Sequence, residues 1–257
     1  MGRYSYLISQ MTWSYSRLRS YEDCPYRFLL TYIYPEEEEP CFYAEYGSFI
    51  HRLLAGYYSG HISRDALFIR YISGFFTEIK GRIQSSIKRK FFNQGLECME
   101  RIKPCDVEIL GIENQIEFEL DGYPFIGYVD MLLRKQDGGL ILVDHKSHPL
   151  KQRSKRTKPT KSDKELDAYL RQLYLYSVWV EKHYGKLPEE LVFHCYRTGE
   201  IVREKFSLPA YEEAKKWALS LIHSLEAADD FPPQIEFFQC QHICGVHGAC
   251  VYYEMGG

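Results

Sequence analysis

The sequence predicts an α/β protein: a mixed central sheet, including a three-stranded antiparallel meander, flanked by helices and preceded by a helical addition. Three observations predict it. Apolar residues keep helical spacing up to about residue 104 and then switch to strict alternation in "IEFEL", "YPFIGYVDMLL" and "GLILVDHK". Helical spacing returns in an apolar stretch at 165–184, and two further alternating runs follow it. That order, helices, meander, helix and strands, is the pattern of an α/β core.

Each element has a local reason. Residues 14–33 read as a helix that Ser14 or Ser16 can cap and that Pro25 interrupts. The acidic run Glu36 to Glu39 ends at Pro40 as a solvated loop. "YGSFIHRLLAGYY" (46–58) is a helix with Ile50, Leu53, Leu54 and Tyr57 as its apolar stripe. Residues 64–104 read as helical, with Lys80, Arg82, Lys88, Arg89 and Lys90 in the middle. The basic stretch 151–164 reads as a mobile loop. "LVFHCYR" and "EIVREKF" form a hairpin around Thr198-Gly199, a helix covers about 210–227, and 231–257 is an irregular, cysteine-bearing tail. With no internal repeat and no linker, 1–257 reads as a single domain, with about 59–107 as a helical insertion.

Composition narrows the function. The 257 residues are 45% hydrophobic and 26% charged, enough for one sizeable core. A net charge of -3 argues against a binder driven by bulk charge, but leaves a local basic track open. No apolar run approaches the ~20 residues of a membrane span. The first residues lack the apolar core of a signal peptide, and Tyr6 breaks the myristoylation pattern. A cytoplasmic setting without membrane contact is the expectation, and there the eight cysteines stay out of disulfides.

The apolar run Ile141-Leu142-Val143 ends in Asp144 and Lys146, charges whose burial is costly unless they are paired or bound. Pairing arithmetic places more acids beside them. An Asp121-Gly122 hairpin pairs Leu120 with Tyr123, Phe118 with Phe125 and Glu113 with Asp130. A three-residue turn at Gln136-Asp137-Gly138 pairs Lys135 with Gly139 and Asp130 with Asp144; a two-residue turn would set Asp130 opposite His145. Alternation keeps Asp144 and Lys146 on one face. Glu113, Asp130, Asp144 and Lys146 therefore converge, and clustered carboxylates suit a hard divalent cation.

These residues resemble the PD-(D/E)XK nuclease signature: Gly127-Tyr128-Val129-Asp130 followed by Asp144-His145-Lys146. "RQLYLY" (171–176) resembles the Q-x-x-x-Y helix motif of the RecB-like branch, with Gln172 and Tyr176 on one helical face. "SYSRLRSYEDCPYRF" and "YGSFIH" are similar to the same branch. The resemblance spans about 12–250 and implies a restriction-endonuclease-like core. It implies that Asp130, Asp144, His51 and the His145 carbonyl hold Mg²⁺ or Mn²⁺. Lys146 would activate water or stabilise charge on the phosphate, Gln172 and Tyr176 would position it, and Glu113 would support the site or bind a second metal.

Cys24, Cys240, Cys244 and Cys250 look like the one-plus-three arrangement of iron–sulfur RecB-like nucleases, the AddB and CRISPR-associated types. Four thiolates suit a 4Fe–4S cluster or zinc, and His242 and His247 keep zinc open. Cys41, Cys98, Cys105 and Cys195 read as packed thiols. The resemblance implies a DNA exonuclease working on single strands from a free end, in phage or bacterial recombination, repair or processing. A helicase, a recombinase or CRISPR adaptation proteins would be its partners. The alternatives are a non-catalytic DNA-binding or assembly subunit and a nuclease confined to CRISPR spacer acquisition. The basic runs at 80–90 and 151–164, including Lys151, Arg153, Lys155, Arg156 and Lys158, are the expected strand path.

Overall fold

The structure, a computed structural model, describes residues 2–253. Its centre is a five-stranded mixed sheet in the order β1-β2-β3-β4-β5, comprising β1 Glu108–Leu120, β2 Tyr123–Arg134, β3 Leu140–Lys146, β4 Glu190–Cys195 and β5 Glu200–Lys205. The first three strands form the antiparallel meander. β3 pairs β4 in parallel, and β4 pairs β5 antiparallel. A parallel neighbour needs a long crossover, which α7 (Lys161–Tyr184) supplies; α8 (Leu208–Ala227) follows β5.

Both turns have the predicted chemistry. Asp121 and Gly122 adopt φ of 51° and 84°, the left-handed pair of a tight hairpin, and Leu120 pairs Tyr123 with Phe118 opposite Phe125. Gly138 sits at φ 87° and Lys135 N donates to the Gly139 carbonyl, the three-residue turn.

Helices α1 (Ser5–Ser9), α2 (Tyr15–Asp23), α3 (Pro25–Phe28), α4 (Phe42–Tyr58), α5 (Arg64–Glu78) and α6 (Ser85–Arg101) precede the sheet. Ser14 caps α2 by accepting from Arg17 N, and Pro25 starts α3 after a break at Cys24. The stretch 64–104 is two helices rather than one. Lys80 N and Gly81 N both donate to Glu45 Oε2, at 2.7 and 2.6 Å, which pulls the chain onto α4 and breaks the helix.

Leu132, Leu142, Leu191 and Phe193 join the main core under α7 and α8. The alternate side chains Met131, Leu133, Ile141, Val143 and Val192 form a small cluster on the other face. Helices α4 to α6 share a core of their own built on Tyr46, Tyr71, Phe75 and Phe91. The 151–164 segment is held, not mobile. Arg153 pairs Asp167 at 2.7 Å and Glu204 at 2.9 Å, Ser154 N donates to Asp163, and a Thr160–Asp163 capping box starts α7 four residues earlier than its apolar pattern does. The tail contains only a short helix, α9 (Phe237–His242), and a 3₁₀ turn at His247–Ala249.

Candidate active site

Strand alternation sends Asp144 and Lys146 to the α7 face and the His145 ring to the other. Met131 pairs Val143, which carries Asp130 up beside Asp144. Asp130 Oδ2 accepts from His145 N at 2.6 Å, so the acid on β2 is fixed by the backbone of β3. Both acids are buried, at 7% and 4% exposure, where an uncompensated charge is expensive.

α4 brings His51 over these acids. Its Nδ1 lies 3.2 Å from Glu113 Oε1 and 3.5 Å from Asp130 Oδ2, and its Nε2–H donates to the His145 carbonyl at 2.9 Å. Burial alone would lower its pKa; hydrogen bonds to Asp130 and Glu113 overcome this and raise it to about 10. Asp130 is lowered in turn: burial pushes it up, and His51 more than offsets that. Burial, reinforced by Asp130, raises Asp144 to about 6 against the pull of Lys146.

Glu113 reaches the site through an unusual backbone. The pairs on either side, Ile112 with Met131 and Asn114 with Val129, keep the predicted register and leave Glu113 opposite Asp130. Glu113 itself has φ 48°, a left-handed conformation costly for a residue with a Cβ. Its carboxylate thus joins His51 and Asp130, and the ligand atoms of these three lie within 4.8 Å of one another. The sequence reading gave Glu113 a supporting place or a second metal; its carboxylate lies in the same group as His51 and Asp130.

On the α7 side, Lys146 Nζ lies 2.8 Å from Asp144 Oδ2 and donates to Gln172 Oε1 at 3.0 Å. Gln172 Nε2 donates to the Tyr176 hydroxyl at 3.2 Å. Burial opposes the ammonium charge, but Asp144 outweighs it and the Lys146 pKa is raised, so the side chain is a fixed cation. Gly127 is required here by packing: an added Cβ would lie 2.5 Å from Tyr176 Cε1. Asp144 Oδ2 is buried and, among the described residues, has no close partner other than the Lys146 ammonium. Three clustered donors, all oxygen or imidazole, with the buried Asp144 carboxylate beside them, fit a hard divalent cation.

The site opens into a groove of about 1030 Å³ running between α2 and α4 and ending at Gln239 and Ile243 of the tail. The basic loop is elsewhere. None of 151–164 lines the groove, and Arg153 lines a separate cleft between α7 and α8. Lys80 and Arg82 border another cleft with His242 and His247. The charge runs were legible, but their placement depends on where β4, β5 and the tail fold back.

Sequence reasoning missed His194. Parallel pairing sets it beside His145, and the two Nδ1 atoms are 3.1 Å apart. Its only signal was a histidine in an apolar strand.

Cys24, Cys240, Cys244 and Cys250 line one cavity, with Leu30, Pro233 and Val246 among its other walls. Burial raises the Cys244 and Cys250 thiols, and neighbouring Cys24 and Cys240 raise them further. Neither His242 nor His247 lines that cavity. His247 instead faces Glu39 at 3.3 Å and the Cys244 carbonyl at 2.7 Å. Cys98 and Cys195 are buried as expected, whereas Cys41 is half-buried and donates to the His242 carbonyl.

A presumed exonuclease from Eubacterium rectale superposes with a TM-score of 0.56 at 14% identity, over 96% of this chain and 90% of its own. That likeness shows the shared fold. A second solved structure, SSO0001, aligns over 93% of this chain and 95% of its own at 15% identity, with a TM-score of only 0.34. No curated protein matches. The family model of the PD-(D/E)XK nuclease superfamily matches residues 12–251, nearly the whole chain, and the chain belongs to that superfamily.

Proposed function

We propose that the protein is a divalent-metal-dependent deoxyribonuclease that degrades single-stranded DNA from a free end. The observation that carries this reading is the convergence of His51, Glu113 and Asp130 beside the Asp144–Lys146–Gln172–Tyr176 chain. His51, Glu113 and Asp130 would hold Mg²⁺ or Mn²⁺, with Asp144 and the His145 carbonyl completing the donor set. The ion supplies Lewis-acid charge and makes an attacking water more acidic. His51 must then give up the proton it carries with Asp130 and Glu113, so metal binding releases protons and strengthens as pH rises.

Lys146, fixed as a cation, is suited to neutralising charge that builds on the phosphate rather than to taking a proton. Gln172 sets its direction, and Tyr176, wedged over Gly127, sets Gln172. The four thiols at Cys24, Cys240, Cys244 and Cys250, which line one cavity, would form an all-sulfur donor set, which favours a 4Fe–4S cluster over a mixed cysteine–histidine zinc site. That arrangement supports placement in the RecB-like branch with AddB-type and CRISPR-associated nucleases. It also supports a role in recombination, repair or spacer acquisition, alongside a helicase, recombinase or adaptation partner.

The test is cleavage of a labelled linear single strand in Mn²⁺, set against a covalently closed circle of the same sequence. Lys146→Ala and Asp130→Asn are expected to abolish cleavage while retaining binding. Wild-type rates in either variant would overturn the site, and equal rates on line and circle would overturn the end requirement. A wild type that binds but never cuts would leave a DNA-binding subunit.

A further inference from the structure

We infer that the groove seats one nucleic-acid strand with its backbone against α4 at Gly47 and a base on Tyr128; this rests on the nuclease reading above.

Ala44, Gly47, Ser48, His51 and Ala55 recur at helical spacing and line the groove. Four of them are small, and the fifth is the histidine at the carboxylates. Gly47 is the telling one. Glycine inside a helix sacrifices stability relative to alanine, and here nothing within the fold asks for it. Its φ is not left-handed, and an added Cβ would meet no heavy atom within 4 Å. Gly56 on the same helix contrasts with it, because a Cβ there would run into Ile62. Neither conformation nor internal packing explains Gly47, whereas close approach of a strand to the groove floor does.

Tyr128 provides the second, independent observation. It stands two residues before Asp130, lines the same groove and is 52% exposed. Its hydroxyl donates to Gln115 Oε1 at 3.0 Å, so the ring is held in place while its face lies in the groove. A fixed, exposed ring one pleat from the carboxylates is a stacking platform, the element that single-strand sites combine with a cationic wall. Arg19 of α2 and Arg27 of α3 supply that wall, both tethered by Asp23 at 2.9 and 3.4 Å. Next to Asp130, Asp144, ion-paired to Lys146 at 2.8 Å, marks the end at which the phosphate reacts.

The experiment measures binding of a short labelled single strand without divalent metal, together with melting temperature and Mn²⁺-dependent cleavage. Gly47→Ala is expected to raise the melting temperature and weaken binding, and Gly47→Leu to weaken it further. Tyr128→Ala is expected to lose about fivefold or more in affinity, with Tyr128→Phe close to wild type. Wild-type affinity in Gly47→Leu and Tyr128→Ala would overturn the seat even if both proteins still cut. Loss of binding in these folded variants, with a wild type that binds but never cuts, would support the seat and sink the nuclease reading.

Discussion

Glu113 spends backbone strain to reach the site. A non-glycine residue at φ 48° is disfavoured by about 1 kcal/mol or more, and such outliers persist where the surroundings over-determine them. Here the surroundings are the flanking residues Ile112 and Asn114, both paired to β2, and the His51 contact at 3.2 Å. Two substitutions separate strain from function. Glu113→Gly is expected to be more stable than Glu113→Ala by about 1 kcal/mol, because only glycine adopts this φ freely. Both are expected to bind Mn²⁺ more weakly than wild type and by a similar factor. Denaturant melts and a metal titration check this; equal stabilities would mean that the backbone at 113 relaxes without cost.

At the scale of elements, two contacts set the geometry: β2 against α7 and β3 against β4. Gly127→Ala would force Tyr176 aside, and a tight core tolerates such overpacking at a cost of about 1–3 kcal/mol. Cleavage should fall more than stability alone explains, because Tyr176 holds Gln172 and Gln172 holds Lys146. The β3–β4 contact is pH-sensitive. Burial lowers the pKa of His145 to about 3 and that of His194 to about 4, from 6.5. A depressed imidazole contributes stability in full above the unfolded value and loses it as pH falls toward the folded one. Between pH 8 and pH 5 the His194 contribution should drop by up to about 2 kcal/mol. Asp144, raised to about 6, works in the opposite direction, so the diagnostic is the difference between wild type and His194→Gln. The variant should lose less stability on acidification, and parallel curves would refute the assignment. These two contacts also show what was legible. Alternation and turn residues are local, so the meander, its register and the Asp130–Asp144 neighbourhood could be read from "DGYPFIGYVD" and "QDGG". The Gln172–Tyr176 spacing was readable for the same reason. The His145–His194 pair was not, because a parallel register across a long crossover leaves no local mark. The left-handed Glu113 was not either, since nothing in "GIENQ" announces a residue turned against its preference.

For the molecule as a whole, the question is what holds the tail. Among the described residues of 231–253, only Phe231 and Val246 are buried, and the one helix is six residues long. So little apolar burial cannot offset the ordering entropy of such a segment. Polar ties among the described residues include Glu39 N to the Gly245 carbonyl at 2.7 Å, His247 Nε2 to Glu39 at 3.3 Å, Gln234 N to Cys24 Sγ at 3.4 Å and Cys41 Sγ to the His242 carbonyl at 3.1 Å, beside aromatic contacts of Phe231, Phe238 and Tyr252. A metal group held by Cys24 and the three tail thiols would close a loop of some two hundred residues, and its binding free energy would become folding free energy. Anaerobically purified protein is therefore expected to contain iron and acid-labile sulfide, and Cys24→Ser to lose both. The same variant should show faster proteolysis confined to the tail and a lower melting temperature. Stoichiometric zinc without iron would replace the cluster by zinc. A Cys24→Ser protein with wild-type melting and tail protection would remove the structural role altogether. Since Gln239 and Ile243 wall the groove that leads to Asp130, loosening the tail should also weaken single-strand binding. This is a coupling that Cys98→Ser, buried in the separate helical core, should not reproduce.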